Sequence, residues 1–242
     1  MVFSKIQLKL ITSLSQKKYR IKHHLFMVEG IKGVQEFLNS KFEIFQLFTS
    51  EELLFLEVEN RVVISEKDLK KISNLKNPNK VVALFKIPKE NLIIKEGLIV
   101  ALDEVNDPGN LGTIIRLCDW FGVNQLVCSE NTVDCFNPKV VQASMGSLAR
   151  VSIIYTDLEK YLQEIQIQKF ATIMNGESIY KTKLPKNGVI IMGNEANGIS
   201  DEILNLVTNK ITIPRFGKQQ QTESLNVATA TAIILNEFKR NN

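Results

Sequence analysis

Two rhythms of apolar and polar positions follow one another along this chain. Up to residue 87, short alternating runs mix with short helical ones. The apolar residues of Ile6-Gln7-Leu8-Lys9-Leu10-Ile11 fall near helical spacing and predict a helix. Residues 24–28 read as a short strand, and 29–38 as a helix entered through the turn at Gly30. Residues 42–49 alternate as a strand does, and 61–64 form another. Ser65 caps a short helix over 67–73, and 80–85 is a further strand. This mixture predicts a small α+β domain over residues 1–90. The run Ile87-Pro88-Lys89-Glu90-Asn91 then breaks the pattern, which places a boundary between Pro88 and Gly97.

From Gly97 onward strand, loop and helix repeat. Residues 98–102 are continuously apolar, as in a strand buried on both faces. Strands follow at 125–128, 151–155, 171–174, 188–192 and 210–213. Helices are predicted at 113–121, 138–145, 157–166, 200–206 and 224–239. Such alternation predicts an α/β domain over residues 97–242, with a parallel sheet covered by helices. In such sheets ligands sit beyond the C-terminal ends of the strands.

Composition adds exclusions. Hydrophobic residues are 44% and charged residues 23% of 242, near the globular average. No window approaches the ~20 uninterrupted apolar residues of a membrane span. The lysine-bearing N-terminus lacks the apolar stretch of a secretory signal. Cys118, Cys128 and Cys135 are odd in number and form no Cys-x-x-Cys pair. They read as buried thiols in a reducing compartment, and cytoplasmic location and the absence of a metal site are the expectations.

Charge is uneven. Residues 1–96 carry a net +6 and residues 97–242 a net −2. The first 28 residues hold no acid. They carry Lys5, Lys9, Lys17, Lys18, Arg20 and Lys22 with His23 and His24. A basic leader suits phosphate attraction, so Lys17, Lys18, Arg20 and Lys22 are candidate RNA contacts; a solvated helix face is the plainer alternative. An adjacent His pair with no acid or Cys cluster is poor metal-ligand spacing.

The most distinctive residues fall in three turns, each just after a predicted strand. The first is Asp103-Glu104-Val105-Asn106-Asp107-Pro108-Gly109-Asn110-Leu111-Gly112, leading to Arg116 inside an otherwise apolar helix. A cation there needs a partner, and Asp103 or Asp107 could supply one. The second is Gly193-Asn194-Glu195-Ala196-Asn197-Gly198-Ile199-Ser200, whose glycines allow close backbone approach to a ligand. A tight turn before a Ser-capped helix would also account for it. It is neither a Gly-x-Gly-x-x-Gly fingerprint nor a P-loop. The third runs from Ile213-Pro214-Arg215-Phe216-Gly217 to Ser224-Leu225-Asn226-Val227, where a helix rich in small residues opens. Ser224 could be its plain N-cap.

Together these turns resemble the signature motifs of the SpoU branch of the SPOUT superfamily, the S-adenosylmethionine-dependent RNA ribose 2′-O-methyltransferases. The matching residues are Asp107-Pro108-x-Asn110-x-Gly112-x-x-x-Arg116, Gly193-Asn194-Glu195-x-x-Gly198-Ile199, and Ile213-Pro214 with Ser224-Leu225-Asn226-Val227. Residues 1–90 resemble, more loosely, the small RNA-binding domain that precedes this catalytic domain in part of the family, with Gly30 as best marker. The resemblance implies a trefoil-knotted α/β domain, which general topology rules would not suggest. It further implies a homodimer acting on structured RNA, tRNA or rRNA. The cofactor would be held by Gly193, Asn194, Gly198, Ile213 and Leu225. One departure is the polar run Lys218-Gln219-Gln220-Gln221-Thr222, longer than the usual form of that loop.

A ribose 2′-hydroxyl is a weak nucleophile, so alignment and proton removal are both needed. The resemblance assigns Arg116 to the 2′-hydroxyl. It gives Asn110 the positioning of Arg116 or the RNA backbone, Glu195 the orienting of Asn or Arg side chains, and Ser224 and Asn226 the pocket wall. Arginine is ordinarily a poor base. Either this one loses its proton unusually easily, or it stabilises the developing oxyanion while a phosphate or water takes the proton. Alternative readings are a catalytically silent RNA-binding protein on the same fold and a Rossmann-type nucleotide enzyme. The missing glycine fingerprint argues against the latter.

Overall fold

Ser4 accepts a hydrogen bond from the Gln7 backbone while its own N–H donates to the Gln7 side chain, and this reciprocal cap starts α1 (Lys5–Ser13) in the computed structural model. The structure describes residues 3–89, 94–123, 125–217, 219 and 224–240. Next come α2 (Lys17–His23), β1 (Leu25–Glu29), α3 (Ile31–Leu38), β2 (Ile44–Thr49), β3 (Arg61–Val63), α4 (Glu66–Ile72) and β4 (Val81–Lys86). The four strands form one sheet in the order β1-β4-β2-β3, with only β2 and β3 parallel. Alternation along β1 sends Leu25 and Met27 to one face and Phe26 to the other. Leu25 and Met27 join a core with Ile11, Phe48 and Leu84. Phe26 packs among Phe37, Phe42, Phe85 and Phe136. Helix α2 agrees with the solvated helix face that the basic leader allowed: Lys17-Lys18-Tyr19-Arg20-Ile21-Lys22-His23 has no apolar stripe, and His24 ends it in the left-handed region.

The second half supplies β5 (Leu98–Leu102), α5 (Pro108–Trp120), β6 (Gln125–Ser129), α6 (Pro138–Ala143), β7 (Ser152–Thr156), α7 (Leu158–Glu164), β8 (Lys169–Ser178), β9 (Gly188–Met192), α8 (Asp201–Leu204), β10 (Asn209–Thr212) and α9 (Val227–Arg240). Compact packing divides the chain into residues 1–90 with 134–150, and residues 91–133 with 151–242. The segment 134–150, which carries α6, therefore packs with the N-terminal unit although it lies beyond Gly97 in sequence. Its reasons are local: Phe136 enters the aromatic cluster, and Asp134 pairs with Arg20 at 2.5 Å.

In the other unit six parallel strands lie in the order β10-β8-β9-β5-β6-β7. The apolar strands β5 and β9 are buried along their whole length, as expected between two helical layers. The chain starts at β5, builds outward through β6 and β7, then returns to the other side of β5. At that reversal Leu102 is in register with Met192, so the loops after β5 and β9 emerge side by side. Strand β8 runs to Ser178, beyond the expected 174. Its Gly176 permits this, because a Cβ there would lie 2.6 Å from the Ile211 carbonyl carbon. Among the described residues, no helix is long and apolar enough to cross a membrane, and no group of three or more His, Cys, Asp or Glu could hold a metal.

Candidate active site

Strand β5 delivers a buried carboxylate to the sheet's C-terminal edge. Asp103 is 5% exposed; its N–H donates to the Met192 carbonyl at 2.9 Å. Its Oδ2 accepts from both the backbone N–H and the hydroxyl of Ser200, each at 2.8 Å. Glu104 follows in the left-handed region (φ 57°) and turns the chain. The Glu104 carbonyl accepts from Asn194 Nδ2 at 2.7 Å. Asp107 then caps α5 by accepting from the Asn110 N–H at 2.8 Å, with Pro108 in the first turn, so α5 begins five residues before the predicted start at 113.

The loop after β9 closes on itself. Asn194 and Gly198 exchange two backbone hydrogen bonds at 2.8 and 3.0 Å. Asn194 Oδ1 accepts from the N–H groups of Ala196 and Asn197. A Cβ on Gly193 would land on the backbone of Gly198 and Ile199, so only glycine permits this closure. The closed loop directs Glu195 at the first loop. Its carboxylate accepts from the Asn106 N–H at 3.2 Å, the Asp107 N–H at 3.3 Å and Asn110 Nδ2 at 2.9 Å. Partial burial pulls the Glu195 pKa upward, but these donors and its own backbone N–H outweigh it and hold the group below the usual glutamate value.

The third loop joins through Asn226. Its Oδ1 accepts from the N–H groups of Ala228 and Thr229 and so caps α9. Its Nδ2 donates to Asn110 Oδ1 at 2.8 Å. Both ends of the Asn110 amide are thereby used, one by Glu195 and one by Asn226. Asn226, and not Ser224, is the cap; Ser224 and Leu225 are exposed just before it, and Ile213 is half-buried past β10. Of the polar loop Lys218–Thr222, all but Gln219 lies outside the described residues.

The structure thus brings Asn110, Glu195, Asn194 and Asn226 together from turns 85 and 116 residues apart. It does not bond Arg116 into that cluster. Arg116 is exposed on α5 and, among the described residues, has no hydrogen bond or ion pair; neither Asp103 nor Asp107 holds it. Six residues of helix separate it from Asn110, about 9 Å along the axis and on a different face, so Asn110 does not position it within one chain. Arg20 requires a correction. It is 2% exposed, donates to Asp134 and to the carbonyls of Leu14 and Ser15, and is unavailable as a surface contact for RNA. Lys17, Lys18 and Lys22 on the same helix are exposed. Sequence reasoning offered Asp103 only as a partner for Arg116 and Ser200 only as a helix cap; that the two bond each other across 97 residues was missed. Asp103, the first carboxylate after a fully apolar strand, was the available signal.

The donor set fits a nucleoside without phosphate. The loops offer main-chain groups around Gly193, Gly198 and Ile213 and neutral amides, with no lysine among their described residues. Gly198, at φ 73°, has open space where a Cβ would project.

A profile described as the SpoU rRNA Methylase family matches residues 97–236, and one described as the MRM3-like substrate binding domain matches residues 5–83. The chain is 29% identical over 230 residues to a 23S rRNA (guanosine(2553)-2′-O)-methyltransferase of Bacillus subtilis, covering 92% of this chain and 91% of the relative. Among solved structures, a putative RNA methyltransferase of the TrmH family from Porphyromonas gingivalis is 36% identical with a TM-score of 0.90, covering all of both chains. An AdoMet-bound rRNA methyltransferase from Sinorhizobium meliloti is 31% identical with a TM-score of 0.89, covering 99% of this chain and 97% of that one.

Proposed function

This chain belongs to the SpoU rRNA methylase family, and from that membership and the three-loop site we propose how it methylates a ribose 2′-hydroxyl in rRNA or tRNA. The observation that carries the reading is the hydrogen-bond chain Glu195–Asn110–Asn226, which joins three distant turns at the C-terminal edge of the sheet. S-adenosylmethionine, the cofactor, supplies a methyl group on a sulfonium centre. Gly193, Asn194, Gly198, Ile213 and Leu225 hold it by main-chain shape. Asn110, Glu195 and Asn226 fix the loops, so the pocket is organised before RNA arrives. Ser224, exposed just before Asn226, bounds it. Arg116 donates to the 2′ oxygen as negative charge develops there, while a phosphate or water accepts the proton.

The N-terminal domain, residues 1–90, binds the RNA, with Lys17, Lys18 and Lys22 meeting phosphates; residues 97–242 carry the chemistry on a trefoil-knotted sheet. Two copies assemble as a homodimer in the cytoplasm. In support of the dimer, Trp120 lies one turn beyond Arg116 on the same face of α5 and is 84% exposed, an unusual exposure for a tryptophan without a partner. Mapping alkali-resistant 2′-O-methyl positions in RNA from cells with and without the gene tests the function. One ribose methylation should disappear with the gene. Unchanged maps, with no S-adenosylmethionine binding by calorimetry, would refute it.

A further inference from the structure

Tyr180 and Phe216 meet where β8 and β10 end. These strands are parallel, so the chain leaves both on the edge that also carries Asp103 and Gly193. Tyr180 is held there by its neighbours: Ile179 is buried and its N–H donates to the Thr212 carbonyl at 2.9 Å. The two rings lie 6.3 Å apart, tilted by 34°. They pack on each other and yet stay open, Phe216 at 82% and Tyr180 at 47% exposure. An aromatic pair fixed at a sheet edge and left in water has apolar surface to offer a ligand. Cations adjoin the pair along the chain: Lys181, Lys183 and Arg215 are all exposed, against one exposed acid, Glu177, on the same strand end. Phe216 also stands three residues after Ile213, at the rim of the proposed cofactor pocket.

Aromatic faces for unstacked bases, flanked by cations for the backbone, are how proteins hold single-stranded RNA. We propose that Tyr180 and Phe216 form a stacking platform for an unpaired base of the RNA, next to the nucleotide whose ribose is methylated, with Lys181 and Lys183 meeting its phosphates. This rests on the RNA methyltransferase reading and adds where the catalytic domain itself grips substrate.

The test uses the full-length chain, a fluorescein-labelled single-stranded RNA of mixed sequence, and the same oligomer with abasic positions. Phe216→Ala and Tyr180→Ala should each weaken binding of the base-bearing RNA about tenfold, leave the abasic RNA unaffected, and spare S-adenosylmethionine affinity. Phe216→Trp should restore binding. The platform is overturned if the alanine variants bind base-bearing RNA as the wild type does, if they lose abasic RNA equally, or if they change only cofactor affinity or oligomeric mass. Labelled-methyl incorporation into ribosomal RNA by the wild type is scored separately. Incorporation with unaltered variant affinities removes the platform and leaves the activity standing. No incorporation removes the activity, while the two oligomers still decide the platform.

Discussion

Asn226 donates from its side-chain amide to Oδ1 of Asn110 at 2.8 Å, across 116 residues of sequence. Asn110 passes the constraint on to Glu195. Removing either asparagine leaves the other amide with an unused group and frees one loop from the rest. Asn110→Ala and Asn226→Ala should each lower turnover about a hundredfold, the scale of a small misplacement of reacting groups. Because both act through one bond, the double variant should be less impaired than the product of the two single effects. Single-turnover methyl transfer on all four proteins measures this, and strict multiplicativity would show that the bond carries no coupling.

Glu195 links the site to pH. Desolvation raises its pKa, but Asn110 and the backbone of residues 195, 106 and 107 donate to the ionised carboxylate and hold it below the usual 4.5. A depressed carboxylate contributes stability that is present above its unfolded value and is lost as pH falls through its folded value. Against Glu195→Gln, the wild type should therefore hold a constant stability advantage above about pH 4.5, shrinking in more acid solution. Denaturant unfolding of both proteins across pH gives the curve. An advantage that grows on acidification would contradict the donor arrangement.

The two glycines of the second loop should respond differently. A methyl on Gly193 meets the Gly198 and Ile199 backbone, which cannot rotate away. Gly193→Ala should open the loop and weaken S-adenosylmethionine binding by about tenfold or more. A methyl on Gly198 meets nothing within 4 Å, and only its φ of 73° opposes a side chain, at about 1–2 kcal/mol. Gly198→Ala should lower thermal stability slightly through its φ and weaken cofactor binding less than Gly193→Ala does. Dissociation constants and melting temperatures of the two variants decide the ranking.

The strand–helix alternation after Gly97 was legible because fully buried parallel strands leave continuous apolar runs, as in residues 98–102 and 188–192. The three loops were legible as departures from that rhythm. What joins them was not: Asn110 to Glu195 and to Asn226 are side-chain pairings far apart in sequence, which local periodicity does not encode. The same blindness hid the partner of Arg20, 114 residues away, and the packing of 134–150 with the N-terminal unit. Strand β8 was cut short because Gly176 weakens the local strand pattern, and its reason is the backbone of β10.

Arg116 permits a clean separation of chemistry from folding. It is exposed and has no hydrogen-bond or ionic partner among the described residues, so Arg116→Ala should change stability by no more than about 0.5 kcal/mol. Methyl transfer should fall about a hundred- to a thousandfold, the scale for losing one donor to a developing oxyanion. S-adenosylmethionine affinity should be unaltered. Retained turnover on the RNA substrate would remove Arg116 from the mechanism.

Helix α2 of the basic leader holds one structural cation, Arg20, and three exposed lysines, of which Lys18 lies over the Tyr19 ring. Arg20 is paired with Asp134 and bonded to two carbonyls, with side-chain exposures of 3% and 16% across the pair. Asp134→Ala strands that guanidinium and should cost about 3–5 kcal/mol of stability. Deleting residues 1–90 would do the same damage in reverse, leaving Asp134 without its cation and Phe136 without its aromatic neighbours, so lost RNA binding after such a truncation would not isolate the leader. Charge reversal does. Lys17→Glu, Lys18→Glu and Lys22→Glu together should leave the melting temperature unchanged and weaken RNA binding. The slope of log affinity against log salt should drop by about one for each phosphate contact removed. A triple variant with wild-type affinity and slope would place the RNA on another surface, because no lysine in this helix would then be neutralising a phosphate.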